Sequence, residues 1–152
     1  MSIDARLSEL NITLPDAPAP AANYVPYVRT GNLLFVSGQI SAAADGLIKG
    51  RLGHDMDTAA GAAAARACGL SLMAQARAAL GSLDRVARVV KLTGFVASTP
   101  DFTDQPEVIN GCSDLMVEVF GDRGRHARAA VSAPSLPRGV AVEIEAVFEI
   151  EG

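Results

Sequence analysis

The segment DTAAGAAAARACGLSLMAQARAALGS, residues 57–82, constrains the fold more than any other part of the chain. Alanine is the residue that costs a helix least. Asp57 stands where an N-cap oxygen is wanted, and Gly81 with Ser82 offers a stop. The pattern predicts one long helix from Asp57 or Thr58 to Leu80. Leu70, Met73 and Leu80 line one side with small residues between them, and small residues let a helix lie close against a sheet. The rest of the chain has to supply that sheet.

Strand candidates flank the helix on both sides. YVRTGNLLFVSGQIS reads as a hairpin: Tyr27 to Arg29, a turn at Thr30-Gly31-Asn32, then Leu33 to Ser37, with Gly38 ending the strand. ADGLIKGRLG reads as a further short strand framed by Gly46 and Gly50. Beyond the helix, RVARVVKLTGFVAS is apolar and β-branched, a buried strand. DFTDQPEVINGCSDLMVEVFG reads as a second helix, entered near Pro106 and closed by Gly121. Two more strands, AAVSA and VAVEIEA, lie either side of a turn marked by Pro and Gly. At the other end, Ile3, Leu7 and Leu10 give a short amphipathic helix. LPDAPAPAANYVP then carries four prolines in thirteen residues, too many for helix or central strand. It is expected as an extended arm on the surface or on a neighbouring subunit. The order β-β-β-α-β-α-β-β, without repeat or linker, predicts an α+β fold: a single domain over residues 1–152, with two helices on one face of one sheet. Residues 1–26 form its N-terminal helix and arm.

Charge and composition remove several function classes. The net charge is −4, and the most basic stretch, GDRGRHAR, holds three arginines in eight residues with no aromatic between them. Nucleic-acid surfaces show clustered base, so no nucleic-acid partner is expected. No run of about 18 apolar residues exists for a membrane span. MSIDARLSELNITLP lacks the basic start and apolar stretch of a signal peptide. The expected location is therefore the cytoplasm, with no membrane partner. Cys68 and Cys112 form no C-x-x-C pair, which favours two reduced, buried thiols over a disulfide or zinc site. His54 beside Asp55 and Asp57 is one imidazole near a helix cap, so no metal site is assigned.

Three stretches together carry a family resemblance: NLLFVSGQI, GFVASTPDF with VIN, and above all RAAV…LPRGVAVEIE, in which an apolar strand and Leu-Pro follow the Arg and a Glu-bearing strand places Glu143 fifteen residues after it. From about Tyr24 onward the chain resembles the Rid family, the reactive intermediate deaminases earlier labelled endoribonuclease L-PSP. The arm and the second helix look like its longer branch. The resemblance implies a chorismate-mutase-like fold, a homotrimer with a cleft at each subunit boundary, and no metal or cofactor. It implies hydrolysis of 2-aminoacrylate and related imines to 2-keto acids and ammonia. A non-catalytic protein binding a small carboxylate metabolite in the same cleft is the alternative. The endoribonuclease label fits poorly with an acidic chain.

Residue by residue, the resemblance makes Arg128 the clamp for a substrate carboxylate, because a guanidinium offers two parallel charge-assisted hydrogen bonds. The competing role is a structural counter-charge to Glu143 or Glu145. Glu143 falls where the family's carboxylate orients a hydrolytic water. Period-two alternation, however, would also put Glu143, Glu145 and Glu149 on a solvent face opposite Val142, Ile144 and Phe148. Tyr27 matches the pocket tyrosine, with Tyr24 as its rival. Ser37 and Gly38 match the turn that approaches the ligand, although a glycine ending a strand needs no ligand to explain it. Asn110 matches the helix asparagine near the cleft and is otherwise an ordinary exposed amide. Ala130 stands where short members carry Cys or Thr, so one polar contact to the ligand is missing. His126 replaces the usual proline and reads as a solvated loop histidine.

Overall fold

A computed structural model of the chain describes residues 1–151. Helix α1 (Ile3–Glu9) starts at Ser2, whose hydroxyl accepts from the Ala5 amide. It buries Ile3 and Leu7. The arm follows without regular structure and leads into β1 (Tyr27–Thr30) and β2 (Leu33–Ile40). After a two-residue hairpin, β3 (Ala42–Ala43) and β4 (Gly46–Leu47), comes helix α2 (Thr58–Leu80). Its ends are those the sequence predicts: the Asp57 carboxylate caps the Ala60 amide at 2.8 Å, and Gly81 closes the last turn at φ 83°. Strand β5 (Val86–Ala97), helix α3 (Gln105–Phe120), strand β6 (Ala127–Ala133) and strand β7 (Val142–Ile150) complete the chain.

The main sheet has the order β1-β2-β7-β5-β6. β5 and β6 are parallel, joined across α3, and every other pairing is antiparallel. Both long helices pack on one face, burying Val142, Ile144, Phe148, Leu92, Val96 and Leu34 beneath them. The two helices approach closely where glycine replaces a side chain. A Cβ on Gly69 would stand 2.9 Å from Leu115 and 3.0 Å from Cys112, and one on Gly111 would run into the Ala62 carbonyl. The small residues thus serve helix-on-helix contact as well as contact with the sheet.

Two expectations need correction. ADGLIKGRLG adds no strand to the main sheet, because its glycines fold it into the β3–β4 hairpin, pinned back by a bridge from Lys49 to Val140. β2 does not end at Gly38. Its pairing to β7 shifts between Val36 and Gln39, so Ser37 and Gly38 form a bulge and the strand resumes to Ile40. A bulge releases peptide groups from the ladder and re-aims side chains.

Candidate active site

That bulge sits beside Glu143. Along β7 the residues alternate as predicted: Val142, Ile144 and Phe148 are buried under the helices, while Glu143, Glu145 and Glu149 face the other way. Glu143 is half-buried, and burial first, then the neighbouring Glu145 charge, raises its carboxyl above the ordinary range. Its carboxylate occupies the space a side chain at position 38 would need; a Cβ there would meet Oε2 and lie 3.1 Å from Cδ. With glycine at position 38 the carboxylate can lie this close to the bulge.

Glu143, Ser37 and Gly38 open into a cavity of about 840 Å³ whose other wall is the arm, including Pro18, Pro20 and Tyr24, with Arg138 at its rim. The arm lies on its own subunit and is fastened there. The Ser37 hydroxyl donates to the Val25 carbonyl at 2.8 Å, and its amide to the Pro26 carbonyl at 2.9 Å. Gln75, buried on α2, donates to the Pro18 carbonyl at 2.6 Å and to Gln39 Oε1 at 3.3 Å. Gln39 in turn donates to the Ser37 carbonyl at 2.9 Å. Tyr27 is absent from this wall. It pairs with Val36 and packs against the core, and Tyr24, three residues earlier, takes the cavity position.

Arg128, Ala130 and Asn110 lie elsewhere. Ala130 packs against the core beneath α3. Arg128 reaches α3, where Nη1 donates to Ser113 Oγ at 3.0 Å and Nη2 to the Pro106 carbonyl at 3.1 Å. Pro106, Asn110 and Ser113 follow one another at helical spacing, so exposed Asn110 shares that face of the helix. Among the described residues no carboxylate pairs with Arg128, so it is no counter-charge to Glu143 or Glu145. The sheet separates the two groups. Phe95 is level with Glu143 on one side and with Val131 on the other, which leaves Arg128 two strands across and three residues along. At ordinary strand spacing the Cα atoms of Arg128 and Glu143 are about 14 Å apart, with the side chains on opposite faces.

His126 is half-buried and bonded at both ring nitrogens: Nδ1 lies 2.6 Å from the Gly124 carbonyl and Nε2 2.8 Å from Ser113 Oγ. Desolvation, opposed by the bond to Gly124 and helped by the Arg128 charge, lowers its pKa from the usual value. The solvated loop histidine expected from sequence is therefore a tethered one. Both thiols are fully buried. Desolvation pushes Cys112 up to about 12, and Cys68 well above the usual range. Neither presents a thiolate. Among the described residues, no three His, Cys, Asp or Glu side chains are grouped to hold a metal ion. Among the described residues no helix is long and apolar enough to cross a membrane.

A family model described as "YjgF/chorismate_mutase-like, putative endoribonuclease" matches residues 4–148. The chain belongs to the YjgF/Rid family. Protein TCP17 of Trypanosoma cruzi is 52% identical over 150 residues, covering 97% of this chain and 94% of that protein. The solved structure of Atu1372 from Agrobacterium tumefaciens, a protein with unknown function, is 48% identical. It superposes with a TM-score of 0.90, covering 99% of this chain and 94% of that one. A structure from Shewanella oneidensis MR-1, described as "a putative endoribonuclease", is 31% identical with a TM-score of 0.95, covering 99% and 100% of the two chains. The mixed sheet with helices on one face is thus the YjgF/Rid arrangement, an α+β fold as the sequence predicts.

Sequence reasoning missed Gln39, Gln75, Ser113 and Arg138. For the two glutamines a signal existed: each interrupts an apolar, buried stretch, where an amide has to find partners. Nothing local marks Ser113, because its role depends on His126 and Arg128 arriving thirteen and fifteen residues later.

Proposed function

We propose that the chain hydrolyses small 2-imino and enamine acids such as 2-aminoacrylate to 2-keto acids and ammonia, in clefts shared between subunits of a homotrimer. The observation that carries this reading is Glu143: a half-buried carboxyl with a raised pKa, seated against a glycine bulge and lining a cavity. A carboxyl so tuned holds a proton more readily than an ordinary one, and can take a proton from water and pass one on. Water adds to the C=N carbon of the protonated imine as Glu143 takes one of its protons; that proton passes to the nitrogen, and the adduct's hydroxyl gives its own proton to Glu143 as the C–N bond breaks, leaving ketone and ammonia. An enamine substrate is first protonated at its methylene carbon by the Glu143 carboxyl, which gives the protonated imine. The Gly38 peptide, released from the ladder by the bulge, can accept from the imine N–H.

The substrate carboxylate requires Arg128, which spends two of its five N–H donors on Ser113 and Pro106 and keeps the others free. A three-carbon acid cannot bridge the two faces of one sheet. A second copy that sets its Arg128 edge against the Glu143 face of the first would complete the cleft. The outer sheet face favours such packing: Val28, Phe35 and Val131 are 53%, 43% and 44% exposed there. A chain of net charge −4 gives a ribonuclease reading no support.

The test compares 2-aminoacrylate decay with and without protein, alongside light scattering. Acceleration that disappears in Arg128→Ala and is not restored in Arg128→Lys supports the reading. An unaccelerated decay with tight pyruvate binding would instead favour the non-catalytic carboxylate binder, and a stable monomer at micromolar concentration would remove the shared cleft.

A further inference from the structure

Arg128 and the Gly124 carbonyl are the two ends of an unbroken chain of hydrogen bonds. Arg128 can only donate, so Ser113 Oγ accepts from it at 3.0 Å. The Gly124 carbonyl can only accept, so His126 Nδ1 carries a hydrogen and donates to it at 2.6 Å. In neutral His126 the other nitrogen, Nε2, is then an acceptor, and the Ser113 hydroxyl hydrogen points to it across 2.8 Å. The fixed ends therefore determine every proton between them, and the guanidinium is held through a histidine that sits one hydroxyl away. With both bonds made to the same oxygen, Nε2 and Nη1 can be no farther apart than about 6 Å.

We propose that Ser113 and His126 are positioning residues for Arg128, and that a carboxylate docked on Arg128 is bound together with a proton on His126. The inference rests on the reading of Arg128 as a carboxylate clamp. With the clamp empty, a proton on Nε2 would place a second positive charge beside the guanidinium. Ser113 Oγ would then receive two donors, and its own hydrogen would have to turn back toward the helix. A bound anion neutralises the guanidinium field and favours the imidazolium, so ligand and proton assist each other by the same factor.

The other charges around the ring are already engaged or set apart. On the turn before β6, Asp122 and Arg125 pair with each other at 3.5 Å in solvent, and Arg123 donates to the Val86 carbonyl at 2.9 Å. From α3 the ring meets Ser113, and the Cys112 thiol next to it in the chain is buried and neutral. On β5, Lys91 is level with Ala127. Arg128 is the charge that acts on His126.

The experiment titrates pyruvate, an anion at every pH used, into the intact protein by calorimetry between pH 8 and pH 6. Two buffers of different ionisation heat count the protons taken up. Affinity should rise about five- to tenfold as pH falls, at the lower end of typical site coupling, with net proton uptake. In His126→Gln the ratio between the two ends of the range should fall to near one. In Ser113→Ala the affinity should drop about fivefold, and Ser113→Thr, which keeps the hydroxyl, should recover it. Repeating the pair in a Glu143→Gln background removes the other titrating group that the proposed cleft sets against the ligand. The chain has two histidines, and exposed His54 is the internal reference for a proton NMR titration in which pyruvate should move the His126 midpoint upward. That measurement needs no variant to fold. A His126 midpoint indifferent to bound pyruvate overturns the inference while leaving the clamp standing. Undiminished pyruvate affinity in folded Arg128→Ala overturns the reading beneath it.

Discussion

Replacing Gly38 by Ala tests whether the Glu143 carboxyl has to sit where it does. Gly38 has no left-handed backbone to lose, so alanine is conformationally acceptable there. The new methyl would enter the space of Glu143 Oε2 and press on Cδ and Cγ, now 3.1 and 3.2 Å from the ideal Cβ. All three atoms belong to one flexible, half-exposed side chain, which can swing away at small cost. The stability change should therefore stay within about 0.5 kcal/mol, or about 2 °C in Tm. The carboxylate, however, has to move by an ångström or more, and misplacement on that scale costs about 100-fold in rate, equivalent to about 2.7 kcal/mol of barrier. The assay follows 2-keto acid formation from freshly generated 2-aminoacrylate, corrected for spontaneous decay, with melting curves recorded in parallel. Pyruvate affinity should persist, since Arg128 is untouched. A Gly38→Ala protein that melts normally and keeps full turnover would refute the assignment of Glu143. One that unfolds early would show that the bulge, and not the carboxylate, needs the glycine.

Gly111→Ala offers the opposite case, because its Cβ would meet the Ala62 backbone carbonyl, which cannot swing aside. A loss of about 3 kcal/mol is expected, lowering Tm by at least about 6 °C. Replacing both Cys68 and Cys112 with Ala should cost about 1 kcal/mol at each position and leave turnover intact; loss of activity in the folded double variant would reveal a nucleophile. Glu143 binds its proton more tightly folded than unfolded, so its favourable contribution is complete below the unfolded carboxyl value of about 4.3 and is lost as pH rises through the folded one. Glu143→Gln should accordingly raise the unfolding free energy slightly at pH 8, by less than about 1 kcal/mol for a half-exposed group, and the gain should shrink toward pH 5. Turnover in the unaltered protein should decline with acidity at a higher pH than an ordinary carboxyl would give.

Much of the architecture was legible because its signals are local. Asp57 and Gly81 bracket α2, Pro106 and Gly121 bracket α3, and the strict alternation of β7 fixes which glutamates leave the core. Gly38 was ambiguous in principle, since glycine in a strand marks either an end or a bulge. Only pairing to β7 decides between them. Tyr27 and Tyr24 could not be ranked from sequence either, because the arm between Leu14 and Tyr27 has no period that would set their facing. The larger gap concerned Arg128 and Glu143. Their types and spacing pointed to paired action, yet the strand order β7-β5-β6 inserts β5 between them and sends their side chains to opposite faces. A linear spacing carries no information about which strand will come between. His126 escaped for a related reason: a helix hydroxyl thirteen residues upstream captures a residue that its own neighbours describe as loop.

The placement of Arg128 and Glu143 on opposite faces has a consequence for inheritance of function. In a closed three-fold ring every cleft would take its arginine from one chain and its glutamate from the next. A chain lacking Arg128 and a chain lacking Glu143 would each be silent alone, since every cleft would want the same half. Mixed in one ring, in either proportion, they meet once in the order that unites a sound arginine with a sound glutamate. Every mixed ring would then regain one working cleft, and two null alleles would complement each other in the same cell.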